Sequence, residues 1–279
     1  LVVHTGGIGD FLLACPSIKG LGREGRVELL GRKERLELAV AGGIAGAAHD
    51  FESVGFDSVF DGPTQKLRKF LTAFQRVVVW MADKDGGIRR GLEDCNVEKI
   101  DIRAGLPPEG WTRHASAYYL DRLGMPDGPE LRLAIAPGPE QYDIVIHPGS
   151  GSAGKNWPLE NYLALANELE SAGREIAWCL GPAELERGRG EFSRIPRDAR
   201  RIETDSLVGV ATHLAAARQF IGNDSGVTHL AVAVGCPTIA LFGPTNPAVW
   251  APRGCRVLKF EEARSALLDE ILKNSRTRL

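Results

Sequence analysis

The chain has 279 residues, 43% of them hydrophobic and 25% charged, with a formal net charge of −2. That composition is globular rather than disordered or fibrous, and the length points to two domains at about 100–200 residues each. The near-neutral charge argues against a general nucleic-acid binder, which carries a basic excess. Cys15, Cys95, Cys179, Cys236 and Cys255 are scattered without a CxxC spacing. They support neither a disulfide framework nor a zinc site, and they fit a reducing cytoplasm. No apolar run reaches the ~18–20 residues of a membrane span; the longest, Leu230 to Phe242, is interrupted by Gly235 and Pro237. The chain opens at Leu1 inside a strand and without an initiator Met, which leaves room for a short leader before it.

Short β-rich runs alternate with helical stretches, the pattern of α/β architecture with parallel sheets. "LVVH" (1–4) reads as a buried strand, followed by the glycine loop "TGGIGD" and a helix from about Asp10 to Leu21. "RVELLG" (26–31) and "RVVVWMA" (76–82) are further strands, and residues 113–125 have helical spacing. The basic cluster Arg32, Lys33 and Arg35, like Arg89 and Arg90, is interspersed with acids and reads as a solvated face. Residues 126–142 hold four Pro and two Gly, a domain boundary.

Beyond the boundary the alternation restarts with the strand "YDIVIHPG" and the helix "WPLENYLALANELESAG", which has Pro158 in its first turn and Gly173 past its end. The strand "REIAWCLG", a helix over 206–218 introduced by Asp205 and Ser206, and the strand "QFIGN" follow. An apolar helix over 227–234, the strand "PTIALFG" and an amphipathic stretch over 261–274 complete the chain. Two halves that each begin strand, Gly-rich loop, helix predict two Rossmann-like domains, 1–137 and 143–260, with a C-terminal helix in 261–279.

Three loops carry the chemistry. In the first, Gly6, Gly7 and Gly9 precede Asp10, but the spacing fails the dinucleotide fingerprint at its third glycine. The Asp10 carboxylate is either an N-cap or a functional group, since such glycines let another molecule approach the backbone. In the second, "HPGSGSAGKNWP" (147–158), the single cation Lys155 sits among Gly and Ser, a composition suited to phosphate oxygens, although Asn156 excludes a Walker A loop. The third is the helix start "NDSGVTH" (223–229). A buried helix beginning at the C-terminal edge of a parallel sheet offers free N–H groups and the positive dipole end to an anion. Ser225 or Asp224 would cap it, and His229 lies one turn after Ser225 on the same face. Asp83 and Asp85 form the lone DxD-like stretch, and no metal is expected there.

The stretches "GGIGDFLLACPSIKGL", "HPGSGSAGKNWPLENYLALANEL" and "FIGNDSGVTHLAVAVGCPTIALFGPTNP" resemble the signature stretches of glycosyltransferase family 9, the heptosyltransferases of lipopolysaccharide synthesis. The resemblance implies a GT-B fold: two Rossmann-like domains with parallel sheets facing across a cleft, the donor nucleotide in the second, the acceptor toward the first. The C-terminal helix of 261–279 would then be able to cross back to the N-terminal domain. It makes Asp10 the catalytic base and Lys155 the donor-phosphate ligand. Asp224, Ser225, Gly226 and His229 match the donor-binding D-T-G-x-x-H, with Ser in place of Thr. Glu184 is the match for a ribose-binding Glu, with Glu186 close behind. Residues 50–115 match nothing in the family pattern.

The implied activity is inverting, metal-independent transfer of a heptose-like sugar from a nucleotide diphosphate donor, ADP-heptose first, to a lipopolysaccharide or related saccharide acceptor. No cofactor and no nucleic-acid partner are expected; the partners are a nucleotide sugar and a saccharide or glycolipid. The location is cytoplasmic, with peripheral contact at the inner membrane face compatible with such an acceptor. A sugar-nucleotide epimerase or hydrolase on the same fold, or a non-catalytic nucleotide-sugar binding protein, stays open as the alternative.

Overall fold

The computed structural model of the protein describes residues 1–181, 192–204 and 206–273. The chain divides into two compact units, Leu1–Ala134 and Ile135–Leu279. The division falls inside the Pro-rich stretch, which is tied down on both sides of it. Ala134 N–H donates to Gly42 O at 3.1 Å in the first unit, and Gly138 N–H to Thr212 O at 2.9 Å in the second.

In the first unit, β1 (Val2–His4), β2 (Glu28–Gly31), β3 (Ala47–Asp50), β4 (Arg76–Trp80) and β5 (Lys99–Arg103) form one sheet. Its order is β3-β2-β1-β4-β5, and every pairing is parallel. The inner strands β1 and β4 are covered on both faces, so their sequences run apolar without alternation. Val3, Leu30, Val77 and Val79 pack with Phe56, Leu67, Ile88 and Leu92 in one core. Neither β3 nor β5 was readable from the sequence. Both are edge strands with half-exposed residues, and the apolar signal that marks a buried strand is missing there. The helix expected from about Asp10 begins earlier and spans Ile8–Leu21, with Gly7 in the N-cap position. The helical spacing of 113–125 becomes the helix Ala115–Arg122, which packs on Ile8–Leu21.

The second unit holds β6 (Tyr142–His147), β7 (Ile176–Cys179), β8 (Arg201–Ile202), β9 (Ala217–Asn223), β10 (Thr238–Phe242) and β11 (Arg256–Lys259). The order is β11-β10-β9-β6-β7-β8, again parallel throughout. Counted from β6, this is the doubly wound dinucleotide-fold order with a reversal between its first and fourth strands. The helix expected over 206–218 is shorter, Leu207–Ala215, because Ala217 pairs with Tyr142 and starts β9 instead. Its Asp205 lies outside the described residues, while Ser206 caps it by accepting from Gly209 N–H at 3.0 Å. From the final helix, Ala263–Lys273, residues Ala263, Leu267 and Ile271 pack with Leu159, Tyr162 and Leu165 in the core of this second unit.

Candidate functional site

In an open parallel sheet, ligands bind beyond the carboxyl ends of the strands where the strand order reverses, because the loops on either side diverge there and leave a crevice. In the second unit that point lies between β6 and β9. The loops leaving these two strands are "HPGSGSAGKNWP" and "NDSGVTH", so the fold brings two of the three sequence stretches to one place.

Asn223, the last residue of β9, is fully buried and binds the two loops together. Its Oδ1 accepts from Trp157 N–H and from the Tyr162 hydroxyl, both at 2.9 Å, and its Nδ2 donates to Pro148 O at 2.8 Å. Every polar atom of that amide is used, as burial demands. With the loop so fixed, Lys155 Nζ reaches Asp224 Oδ2 at 2.8 Å, and the Thr245 hydroxyl donates to the same oxygen at 2.8 Å. Asp224 is 7% exposed, and the Lys155 side chain is 36% exposed. The carboxylate thus anchors a partly solvent-facing ammonium. Their pairing also cancels the repulsion that a bare Asp224 would exert on an incoming anion.

Ser225 is the N-cap of the helix Gly226–Ala233: its Oγ accepts from Thr228 N–H at 3.3 Å and lies 3.0 Å from Thr228 Oγ1. Between the two capping readings the geometry selects Ser225, and Asp224 is released to hold Lys155. His229 is buried on the same helix. A buried helix start, an anchored cation and hydroxyls therefore meet at the switch point, an arrangement that binds oxyanions.

The corresponding reversal in the first unit lies between β1 and β4. The glycine loop leaves β1 here. Asp10 is the third residue of its helix rather than the N-cap, and its Oδ2 accepts from Gly7 N–H at 3.2 Å. The carboxylate reaches back over the helix start instead of preceding it. Gly6 has no room for a side chain, since a Cβ there would sit 2.8 Å from His4 Cε1 and 3.2 Å from Asp10 Cβ. His4 is buried beneath the loop against Phe11, and burial, reinforced by the charge of Arg35, lowers its pKa to about 4. Arg35 does not lie on a merely solvated face: its Nη1 donates to Gly6 O at 2.5 Å. Its own pKa is lowered by partial burial and by Arg32, and is held up by Glu34 and Asp10. Tyr119, from the helix Ala115–Arg122, donates to Gly105 O at 2.6 Å. Its phenol is pushed up by burial first and then by the charge of Asp10.

The expected residues thus fall into two groups. Lys155, Asp224, Ser225, Gly226 and His229 gather in the second unit; Gly6, Gly7, Gly9 and Asp10 form the loop of the first. Glu184 and Glu186 lie outside the described residues. Asp83 accepts from Ile88 N–H at 3.0 Å and Arg89 N–H at 3.1 Å, a capping role at the start of the helix Gly87–Asp94. Among the described residues no three His, Cys, Asp or Glu side chains are grouped so as to hold a metal. The sequence reading missed Asn223, Thr228, Thr245, His4 and Arg35. Asn223 and His4 carry a signal, each being the polar last residue of an apolar strand run, whereas Thr245 lies three positions past the end of β10.

The two parallel sheets and their helices make this a GT-B-like architecture of two Rossmann domains. The chain belongs to glycosyltransferase family 9 (heptosyltransferase), whose sequence profile matches residues 130–269, half of its length. It is 34% identical over 116 residues to lipopolysaccharide heptosyltransferase 1 of Pseudomonas aeruginosa, an alignment covering 42% of this chain and 32% of that protein. The chain thus spans about a third of the length of that curated relative. Among solved structures it resembles a family 9 glycosyl transferase from Veillonella parvula, with TM-score 0.74, 17% identity and coverage of 98% of this chain and 88% of the other. It likewise resembles the E. coli ADP-heptose lps heptosyltransferase II, with TM-score 0.73, 17% identity and 98% of both chains covered. At such identities the likeness is one of fold. Among the described residues no helix is long and apolar enough to cross a membrane.

Proposed function

We propose that the protein is an inverting glycosyltransferase that moves a heptose from ADP-heptose to a saccharide hydroxyl of a lipopolysaccharide-type acceptor, without a metal. The observation that carries the reading is the Lys155–Asp224–Thr245 cluster at the capped start of a buried helix, a ready receptor for a diphosphate. The names of the relatives supply the sugar and the acceptor class.

In this reading the acceptor oxygen attacks the anomeric carbon while its proton passes to the Asp10 carboxylate. The bond from that carbon to the diphosphate oxygen breaks, and ADP leaves with the bonding electrons. Lys155 and the N–H groups at Gly226 and beyond stabilise the charge growing on the leaving group. Preorganised donors of this kind need no rearrangement during the reaction. The general-base step contributes about 10²–10⁴-fold. Asp224 orients the ammonium, and Ser225 sets the helix start. In this reading the protein works in the cytoplasm and meets its glycolipid acceptor at the inner membrane face.

The test is Asp10→Asn, assayed with ADP-heptose and a lipopolysaccharide-core acceptor in the presence of excess chelator. Wild-type turnover should persist in the chelator, and the variant should bind ADP normally yet lose at least about 10²-fold in kcat. A variant within a few-fold of wild type would make Asp10 a helix-start residue only. ADP release by the wild type without acceptor at the full rate would favour a hydrolase.

A further inference from the structure

The peptide group joining Gly6 to Gly7 is held at both ends by side chains of opposite charge. Its carbonyl oxygen, on Gly6, accepts from Arg35 Nη1 at 2.5 Å, and its N–H, on Gly7, donates to Asp10 Oδ2 at 3.2 Å. Arg35 comes from a different element, the helix Lys33–Ala41 that follows β2. A guanidinium on the carbonyl draws electron density across the amide and makes its N–H a stronger donor, since hydrogen bonds in a chain polarise one another. It also fixes the plane of that peptide. With glycine on both sides, little else would: neither residue has a side chain to restrict rotation. Gly6 is confined from below by His4, so the loop is pinned from both directions.

We propose that Arg35 is a positioning residue that aims the Asp10 carboxylate through the Gly6–Gly7 peptide. The inference rests on the reading of Asp10 as the base. Arg35 acts in two ways. The hydrogen bond to Gly6 O sets the direction of the Gly7 N–H, and with it the orientation of the carboxylate that this N–H holds. The guanidinium charge also favours the ionised carboxylate, the form able to accept a proton. The groups that act electrostatically with Asp10 from neighbouring elements are Arg35, from the helix Lys33–Ala41, and Tyr119, from the helix Ala115–Arg122; Arg32 and Glu34 act in turn on Arg35, and Arg35 acts on His4 of β1. Of these, Arg35 alone bonds the peptide that carries the Gly7 donor, among the described contacts.

The experiment compares Arg35→Gln, Arg35→Lys and Asp10→Asn in the full chain, by steady-state kinetics over pH and by ADP binding. For Arg35→Gln, kcat should fall about tenfold or more with ADP affinity unchanged, because the donor residues lie in the other unit. The acid limb of its kcat/KM profile should move to higher pH, the direction expected when a cation beside a carboxylate is removed. Arg35→Lys, which keeps the charge and a donor, should keep the limb near its wild-type position and recover part of kcat. If Arg35→Gln has wild-type kcat and an unmoved limb while Asp10→Asn is inactive, Asp10 is the base and Arg35 does not position it. A loss of kcat with an unmoved limb that Arg35→Lys fails to relieve marks a structural role and likewise overturns the proposal. If Asp10→Asn keeps its turnover, the base itself is misidentified and the inference falls with it.

Discussion

Lys155 shows how much a single contact changes the meaning of a residue. As a lone loop lysine it would wave in solvent; at 2.8 Å from a nearly buried carboxylate it has one place to be. Asp224 is in turn held by Thr245, so the ammonium is located by a fixed acceptor rather than by its own flexible stem. Lys155→Ala removes the cation and leaves Asp224 facing the same crevice with its negative charge. A charge-assisted bond is worth about 1.5–3 kcal/mol, so ADP binding should weaken roughly tenfold to a hundredfold. Adenosine, which carries no phosphate, should bind as before. Calorimetric titration of both ligands into wild type and variant decides the matter. Equal losses for the two would mean that Lys155 never meets the diphosphate.

At the level of elements, β1 and the loop it feeds are built over a histidine that stays neutral. His4 has a folded pKa of about 4 against 6.5 for the free side chain, lowered first by burial and then by Arg35. Between these values the unfolded chain binds a proton that the folded chain refuses. Stability therefore rises with pH across the window from about 4 to 6.5, is fully present above it, and falls on acidification. The difference corresponds to on the order of 3 kcal/mol. In His4→Gln the unfolding free energy of the first unit should change less steeply over that window, by the equivalent of about one proton. Denaturation curves at a series of pH values would show it, and parallel slopes for the two proteins would remove His4 from the account. None of this is legible in "LVVHTGGIGD", because what surrounds His4 comes from distant stretches, Gly31, Arg35 and Trp80 among them, as well as from its own loop. What could be read were the inner strands and the three loops. Burial on both faces writes a continuous apolar run, and a binding loop writes a cluster of Gly and Ser with one charge. Edge strands β3 and β5 carry neither mark, and neither do the pairings Lys155–Asp224 and Arg35–Gly6, which join stretches distant in sequence. The helix Ile8–Leu21 starts two residues before Asp10 for a local reason: Gly7, in the N-cap position, has no side chain to mark the boundary, and the first polar side chain after the glycines is Asp10.

For the molecule as a whole, the division into two units also separates the two groups of candidate residues. Residues 135–279 have a six-stranded sheet in the full doubly wound order and their own core, in which Ile144, Ile146, Trp157, Leu165, Ile221, Leu241 and Leu267 take part. A domain of about 145 residues buries roughly 68–70% of the surface its unfolded chain exposes, enough for independent folding. Lys155, Asp224, Ser225, Gly226 and His229 all belong to it, while Asp10 and Arg35 belong to the first unit. If donor recognition resides where these contacts are, a fragment of residues 135–279 should fold cooperatively and bind ADP within about tenfold of the whole chain. At a ligand concentration 100 times the Kd, ADP should add about 2.7 kcal/mol to its stability. The fragment should transfer no sugar, since it lacks the proposed base. Circular dichroism melts with and without ADP, beside the same measurement on the full chain, make the comparison. A fragment that melts cooperatively but ignores ADP would place donor binding outside the second unit alone, and the switch-point cluster would then be only part of the donor site.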